Sequence, residues 1–79
     1  MYALIIDDSR AMRRIIGDMM RQLGFDVAEA VNGKAGYEQL VAGPAPDVVL
    51  VDWNMPEMNG LEFVQAVRAD NRYANVPLV

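Results

Sequence analysis

Two short apolar runs in this chain each break off at acids, and each is followed by a helix-forming stretch. Ala3 to Ile6 stops at Asp7-Asp8, and Val48 to Val51 stops at Asp52. Brief apolar runs bounded in this way read as buried strands. Val48 to Val51 is uniformly apolar and rich in β-branched residues, the pattern of a strand covered on both faces. After the first run, Ser9 can cap a helix in which Met12, Ile15, Ile16, Met19, Met20 and Leu23 fall at spacings of three and four. Gly24 stands where a left-handed residue closes such a helix. Val27 to Ala30 is a weaker strand whose mixed polarity suits a sheet edge. Asn32 caps a second helix carrying Ala35, Tyr37, Leu40 and Val41, which Gly33 and Gly36 weaken.

Gly43-Pro44-Ala45-Pro46 is a stiff connector into the second acid-ended run. Asn59 with Glu62 makes a capping-box pattern for a third helix, which turns Leu61, Val64 and Val67 inward. Val76 to Val79 opens a fourth strand, with Pro77 near its start where a missing N–H is tolerated. Strand and helix thus alternate from end to end. That order predicts one α/β domain, a doubly wound parallel sheet with right-handed crossovers and helices on both faces.

Composition narrows the chemistry. The 79 residues are 53% hydrophobic, ample for a core, with a net charge of −4. Such a balance argues against nucleic acid or an anionic membrane surface as a partner, since both reward clustered Lys and Arg. There is no Cys and no His. Disulfides, thiolate zinc sites, a Cys nucleophile and an internal imidazole base are therefore excluded. A metal site must be built from oxygens, which points to Mg²⁺, Mn²⁺ or Ca²⁺. No apolar run approaches membrane-spanning length and the first one is too short for a signal peptide, so the expectation is a soluble, cytoplasmic protein.

In a parallel sheet all strands point one way, so Asp7, Asp8 and Asp52 share the carboxyl edge, where open α/β folds bind ligands. Three converging carboxylates repel unless a cation neutralises them, and Mg²⁺ suits one or two carboxylates plus waters. The plain alternative is that Asp7-Asp8-Ser9 only begins a helix, where acids favour the dipole. It explains Asp8 and Ser9 but leaves Asp52 without a reason. Arg10, Arg13 and Arg14 make a basic spot on the first helix, which reads as a solvated face with docking as the lesser reading.

The stretches Leu4-Ile5-Ile6-Asp7-Asp8-Ser9, Val49-Leu50-Val51-Asp52-Trp53-Asn54-Met55-Pro56 and Met58-Asn59-Gly60 resemble the receiver domain of two-component response regulators, the single-domain chemotaxis type above all. The resemblance runs through the whole chain. It implies a flavodoxin-like fold with strand order 2-1-3-4, Asp52 as phospho-acceptor and a Mg²⁺ ion, with Mn²⁺ as substitute. Asp8 would bind the metal directly, Asp7 largely through water, and Asp52 and the backbone carbonyl of Asn54 would complete the protein ligands. Met55, Pro56 and Gly60 would shape the loop, and Trp53 would flank the pocket. The implied partner is a histidine kinase or phosphotransfer domain carrying phosphohistidine, which supplies the imidazole this chain lacks.

The same resemblance makes residues 1–79 a partial receiver domain. A fifth strand, two further helices, a Ser or Thr and a Lys would be expected beyond Val79. Leu78 and Val79 would then lie at an open sheet edge beside sheet faces left without helices, and a homo-oligomer would cover both. The alternative function is a receiver fragment that only self-associates. Enzymatic activity would extend at most to self-phosphorylation and autodephosphorylation at Asp52. An aspartyl-phosphate hydrolase is disfavoured because Asn54 stands where such enzymes carry a second acid.

Overall fold

The computed structural model describes residues 1–52 and 60–79. The expectations for Trp53, Asn54, Met55, Pro56 and the Asn59 cap lie outside the described residues. Strand β1 runs Tyr2–Ile6, helix α1 Arg10–Gln22, β2 Asp26–Ala30, α2 Gly33–Ala42, β3 Val48–Val51 and α3 Gly60–Arg68. The sheet order is β2-β1-β3, with both pairings parallel. The flavodoxin-like expectation holds, and β2, the strand of mixed polarity, is at the edge.

The fourth strand is reduced to a single parallel bridge, Val49 to Leu78, on the outer side of β3. Its ladder is nonetheless regular: Val49 N–H donates to Pro77 O at 2.9 Å, Val79 N–H to Val49 O at 2.9 Å and Val51 N–H to Val79 O at 3.0 Å. A short 3₁₀ turn, Asn71–Tyr73, precedes it. Arg68 at the end of α3 secures this segment, donating from Nη1 to the carbonyls of Tyr73 (3.0 Å) and Ala74 (2.8 Å) and from Nη2 to that of Val76 (2.8 Å). Leu78 and Val79 both lie on this outermost segment, Leu78 partly buried against the core and Val79 exposed.

The caps follow the sequence. Ser9 Oγ accepts from Met12 N–H at 3.2 Å, and Asn32 Oδ1 accepts from Ala35 N–H at 2.8 Å. Gly24 has φ +93°. Its N–H bonds Arg21 O and the next N–H, of Phe25, bonds Met20 O, both at 3.0 Å, the paired closure of a Schellman motif.

The helix faces differ from expectation in three places. On α1, Ile16 and Met20 are half-buried, but Met12, Ile15, Met19 and Leu23 are exposed, and the buried contact is Gly17. On α3, Leu61 points to solvent and Phe63 with Val67 fills the core. On α2, Val41 is exposed while Gly33, Gly36 and Leu40 are buried. The two glycines are therefore the packing face, not merely weak points.

Gly36 is the tighter case. A Cβ there would sit 2.8 Å from Ile6 Cγ1 and closer still to Ile6 Cδ1. Ile6 is fully buried and immediately precedes Asp7. Overpacking costs about 1–3 kcal/mol, and the helix preference for Ala over Gly returns about 1 kcal/mol. Gly36→Ala is expected to lower stability by about 1 kcal/mol in urea unfolding. Gly43→Ala, whose Cβ would meet only Gln39 O at 3.5 Å, should leave it unchanged. Equal midpoints for the two variants would show that Ile6 yields freely.

Candidate functional site: a carboxylate cluster at the sheet edge

Backbone register builds the site. Ile6 pairs with Val51 across β1 and β3, so the next residues, Asp7 and Asp52, leave the sheet side by side. Asp52 N–H donates to Ile6 O at 2.9 Å and Asp7 N–H donates to Ala30 O at 3.1 Å, carrying the ladders one step past the strands. The chain then turns into α1. Ser9 N–H donates to Asp7 Oδ1 at 2.8 Å, which folds the Asp7-Asp8-Ser9 corner back on itself.

The three acids converge as the sequence implies. One carboxylate oxygen from each of Asp7, Asp8 and Asp52 lies within 4.8 Å of the other two. Asp7 and Asp52 are half-buried and Asp8 is exposed. In an octahedral Mg²⁺ site with oxygens at about 2.1 Å, neighbouring ligand atoms are about 3.0 Å apart and opposite ones about 4.2 Å. The spacing of the cluster is thus close to that span, and a water between one acid and the ion would extend its reach. An all-oxygen donor set suits Mg²⁺ or Mn²⁺. Gly60, expected to shape the loop, is buried as the first residue of α3.

A groove of about 490 Å³ opens beside the cluster, with Asp7, Asp8, Ser9 and Asp52 on its polar side and Ile5, Met12, Ile16, Leu50 and Val79 on its apolar side. The sequence reading missed one participant. Arg13, taken as part of a solvated basic face, turns its side chain inward and donates from Nη1 to Asp7 O at 2.7 Å. Its place one turn after Ser9, at i+4, was the available signal.

Comparison with known proteins bears on this geometry. The profile of the response regulator receiver domain matches residues 3–79. The chain is 49% identical over 80 residues to the chemotaxis protein CheY1 of Helicobacter pylori, covering all of this chain and 64% of that protein. Among solved structures, the chemotaxis response regulator CheY4 of Vibrio cholerae superposes with TM-score 0.90 at 32% identity, over 98% of this chain and 63% of that one. The response regulator TrrA of Thermotoga maritima, solved in complex with Mg²⁺ and BeF, gives TM-score 0.84 at 25% identity, over 90% of this chain and 61% of that one. The chain therefore spans a little under two thirds of the length of the relatives it matches. Over that span, with the family profile matched along residues 3–79 and the sheet order β2-β1-β3, it belongs to the response regulator receiver domain family.

Proposed function

We propose that residues 1–79 act as the phosphoryl-accepting part of a two-component signalling receiver in the cytoplasm, with Asp52 as acceptor. The observation that carries this reading is the convergence of the Asp7, Asp8 and Asp52 carboxylates at the carboxyl edge of β1 and β3. The donor is a phosphohistidine on a histidine kinase or phosphotransfer domain. An Asp52 carboxylate oxygen forms the new bond to phosphorus, the P–N bond breaks, and its electron pair returns to the departing imidazole of the partner. The product is an aspartyl phosphate. The relative solved with Mg²⁺ and BeF supports the same chemistry here.

Phosphoryl transfer depends mainly on positioning and charge neutralisation. Bound Mg²⁺ supplies the neutralisation. Asp8 would hold it directly, Asp7 through water, and Asp52 and the Asn54 carbonyl would complete the protein ligands. The register of β1 and β3 fixes Asp52 beside Asp7, so the acceptor reaches the donor already oriented.

The test is a Mg²⁺ or Mn²⁺ titration followed by Trp53 emission. Wild type should respond with weak affinity, and Asp8→Ala should lose the response. An unchanged curve in that variant would place the metal elsewhere. A second reading, self-association, is favoured by the exposed Met12, Ile15, Met19 and Leu23 on α1. Light scattering at high concentration separates it, since a mass of one chain removes it.

A further inference from the structure

We propose that Arg13 is a positioning residue for the carboxylate cluster, acting through the peptide that joins Asp7 to Asp8. The inference rests on the metal-binding reading above. Arg13 is unlike its basic neighbours: Arg10 and Arg14 are exposed, whereas the Arg13 side chain is only 12% accessible. Its guanidinium has two anchors. Nη1 donates to Asp7 O at 2.7 Å, and Nε donates to Glu29 Oε1 at 3.3 Å. Glu29 lies on β2, in register with Ile5 of β1. Its other carboxylate oxygen lies 3.8 Å from Arg21 Nη2, so two arginines of α1 hold it.

The Asp7 carbonyl needs such a partner. Asp7 N–H makes the last rung toward β2, to Ala30 O at 3.1 Å, and the Asp7 carbonyl, beyond that rung, accepts from Arg13. A backbone acceptor in a half-buried corner seeks a donor, and a charged donor makes the stronger bond. The consequence reaches the acids. A single planar peptide links Asp7 to Asp8. An uncompensated change in Asp7 ψ would turn that plane and swing the Asp8 carboxylate away from that of Asp7. Arg13 holds the oxygen of that plane, while Ser9 N–H holds the Asp7 carboxylate at 2.8 Å. Glu29 in turn fixes the guanidinium from β2.

The sign of the effect separates this role from simple electrostatics. A cation near the cluster repels a second cation, so charge alone predicts tighter metal binding when Arg13 is removed. A clamp predicts weaker binding. Loss of groups that orient metal ligands typically costs 10–100-fold in affinity.

The experiment measures Mn²⁺ affinity by the electron paramagnetic resonance signal of free Mn²⁺. It is paired with amide exchange of the Ser9 N–H in metal-free protein. Arg13→Met, which keeps the apolar stem, should weaken Mn²⁺ roughly 10–100-fold and speed Ser9 exchange. Arg13→Lys keeps the charge but not the two-pronged fork, and should fall between Met and wild type. Glu29→Gln, which leaves Arg13 in place, should weaken binding by a smaller factor. Should Arg13→Met fail to fold, the Lys and Gln variants decide. Unchanged or tighter Mn²⁺ binding in folded variants, with Ser9 exchange as in wild type, overturns the proposal. Wild type that binds no Mn²⁺ removes the metal reading instead, and the clamp then stands or falls on Ser9 exchange alone.

Discussion

Asp52→Asn should abolish labelling by acetyl phosphate, leaving only the signal of a blank without donor. The substitution exchanges one carboxylate oxygen for an amide nitrogen of nearly the same size, so the loss is chemical rather than steric. A carboxamide has no anionic oxygen to attack phosphorus, and it offers a metal one fewer charge. Asp7 and Asp8 remain, but they stand on the loop after β1 rather than at the end of β3. Asp52 alone leaves β3, with its backbone fixed to Ile6 O at 2.9 Å. The measurement is the mass of the protein after incubation with Mg²⁺ and acetyl phosphate, before and after hydroxylamine, which cleaves acyl phosphates. Far-UV circular dichroism must show the variant folded. Label retained in folded Asp52→Asn would move the acceptor to another residue. Label absent from wild type as well, in a protein that still binds Mg²⁺, would separate metal binding from phosphoryl acceptance.

The site was legible because it depends on strand ends. Period and apolar run length located β1 and β3, parallel pairing placed their carboxyl ends together, and Asp7, Asp8 and Asp52 followed. Caps were legible for the same local reason: Ser9, Asn32 and Gly24 act within a few residues of themselves. Helix faces were less so. Helical spacing identifies a stripe but not which edge of it meets the sheet. On α1 four of the six stripe residues are exposed, and the buried residue is Gly17, where a Cβ would meet Val27 at 3.7 Å. On α2 low helix preference drew attention to Gly36 as a weakness. Its reason is the Ile6 side chain of β1, a long-range contact that no local pattern encodes. Arg13 was misread for a similar reason. Its partners, Asp7 O and Glu29, come together only after α1 has docked across β1 and β2.

Phe63→Ala should destabilise the domain by about 3–5 kcal/mol, the usual cost of emptying a buried aromatic site. A chain of this length has a total stability of about 4–12 kcal/mol at roughly 0.05–0.15 kcal/mol per residue. The variant is therefore expected to be largely unfolded near room temperature or to melt far below wild type. Phe63 is 0% exposed and belongs to one buried cluster with Leu4, Ile6, Leu40, Val49, Val51 and Val67, residues of β1, α2, β3 and α3. Leu61, two residues earlier, is 53% exposed. The sequence pattern had turned Leu61 inward, and a helix can present only one of the two residues to the sheet, because they lie about 200° apart around its axis at 3.6 residues per turn. Rotating α3 to bury Leu61 would leave a phenyl ring in water, and the larger apolar area decides the phase. Leu61→Ala is accordingly expected to change stability by no more than about 0.5 kcal/mol. Phe63→Leu, which keeps most of the volume, should cost well under half of the alanine loss. Urea unfolding of the three variants reads the phase directly. A greater loss for Leu61→Ala than for Phe63→Ala would mean that α3 packs on its other face.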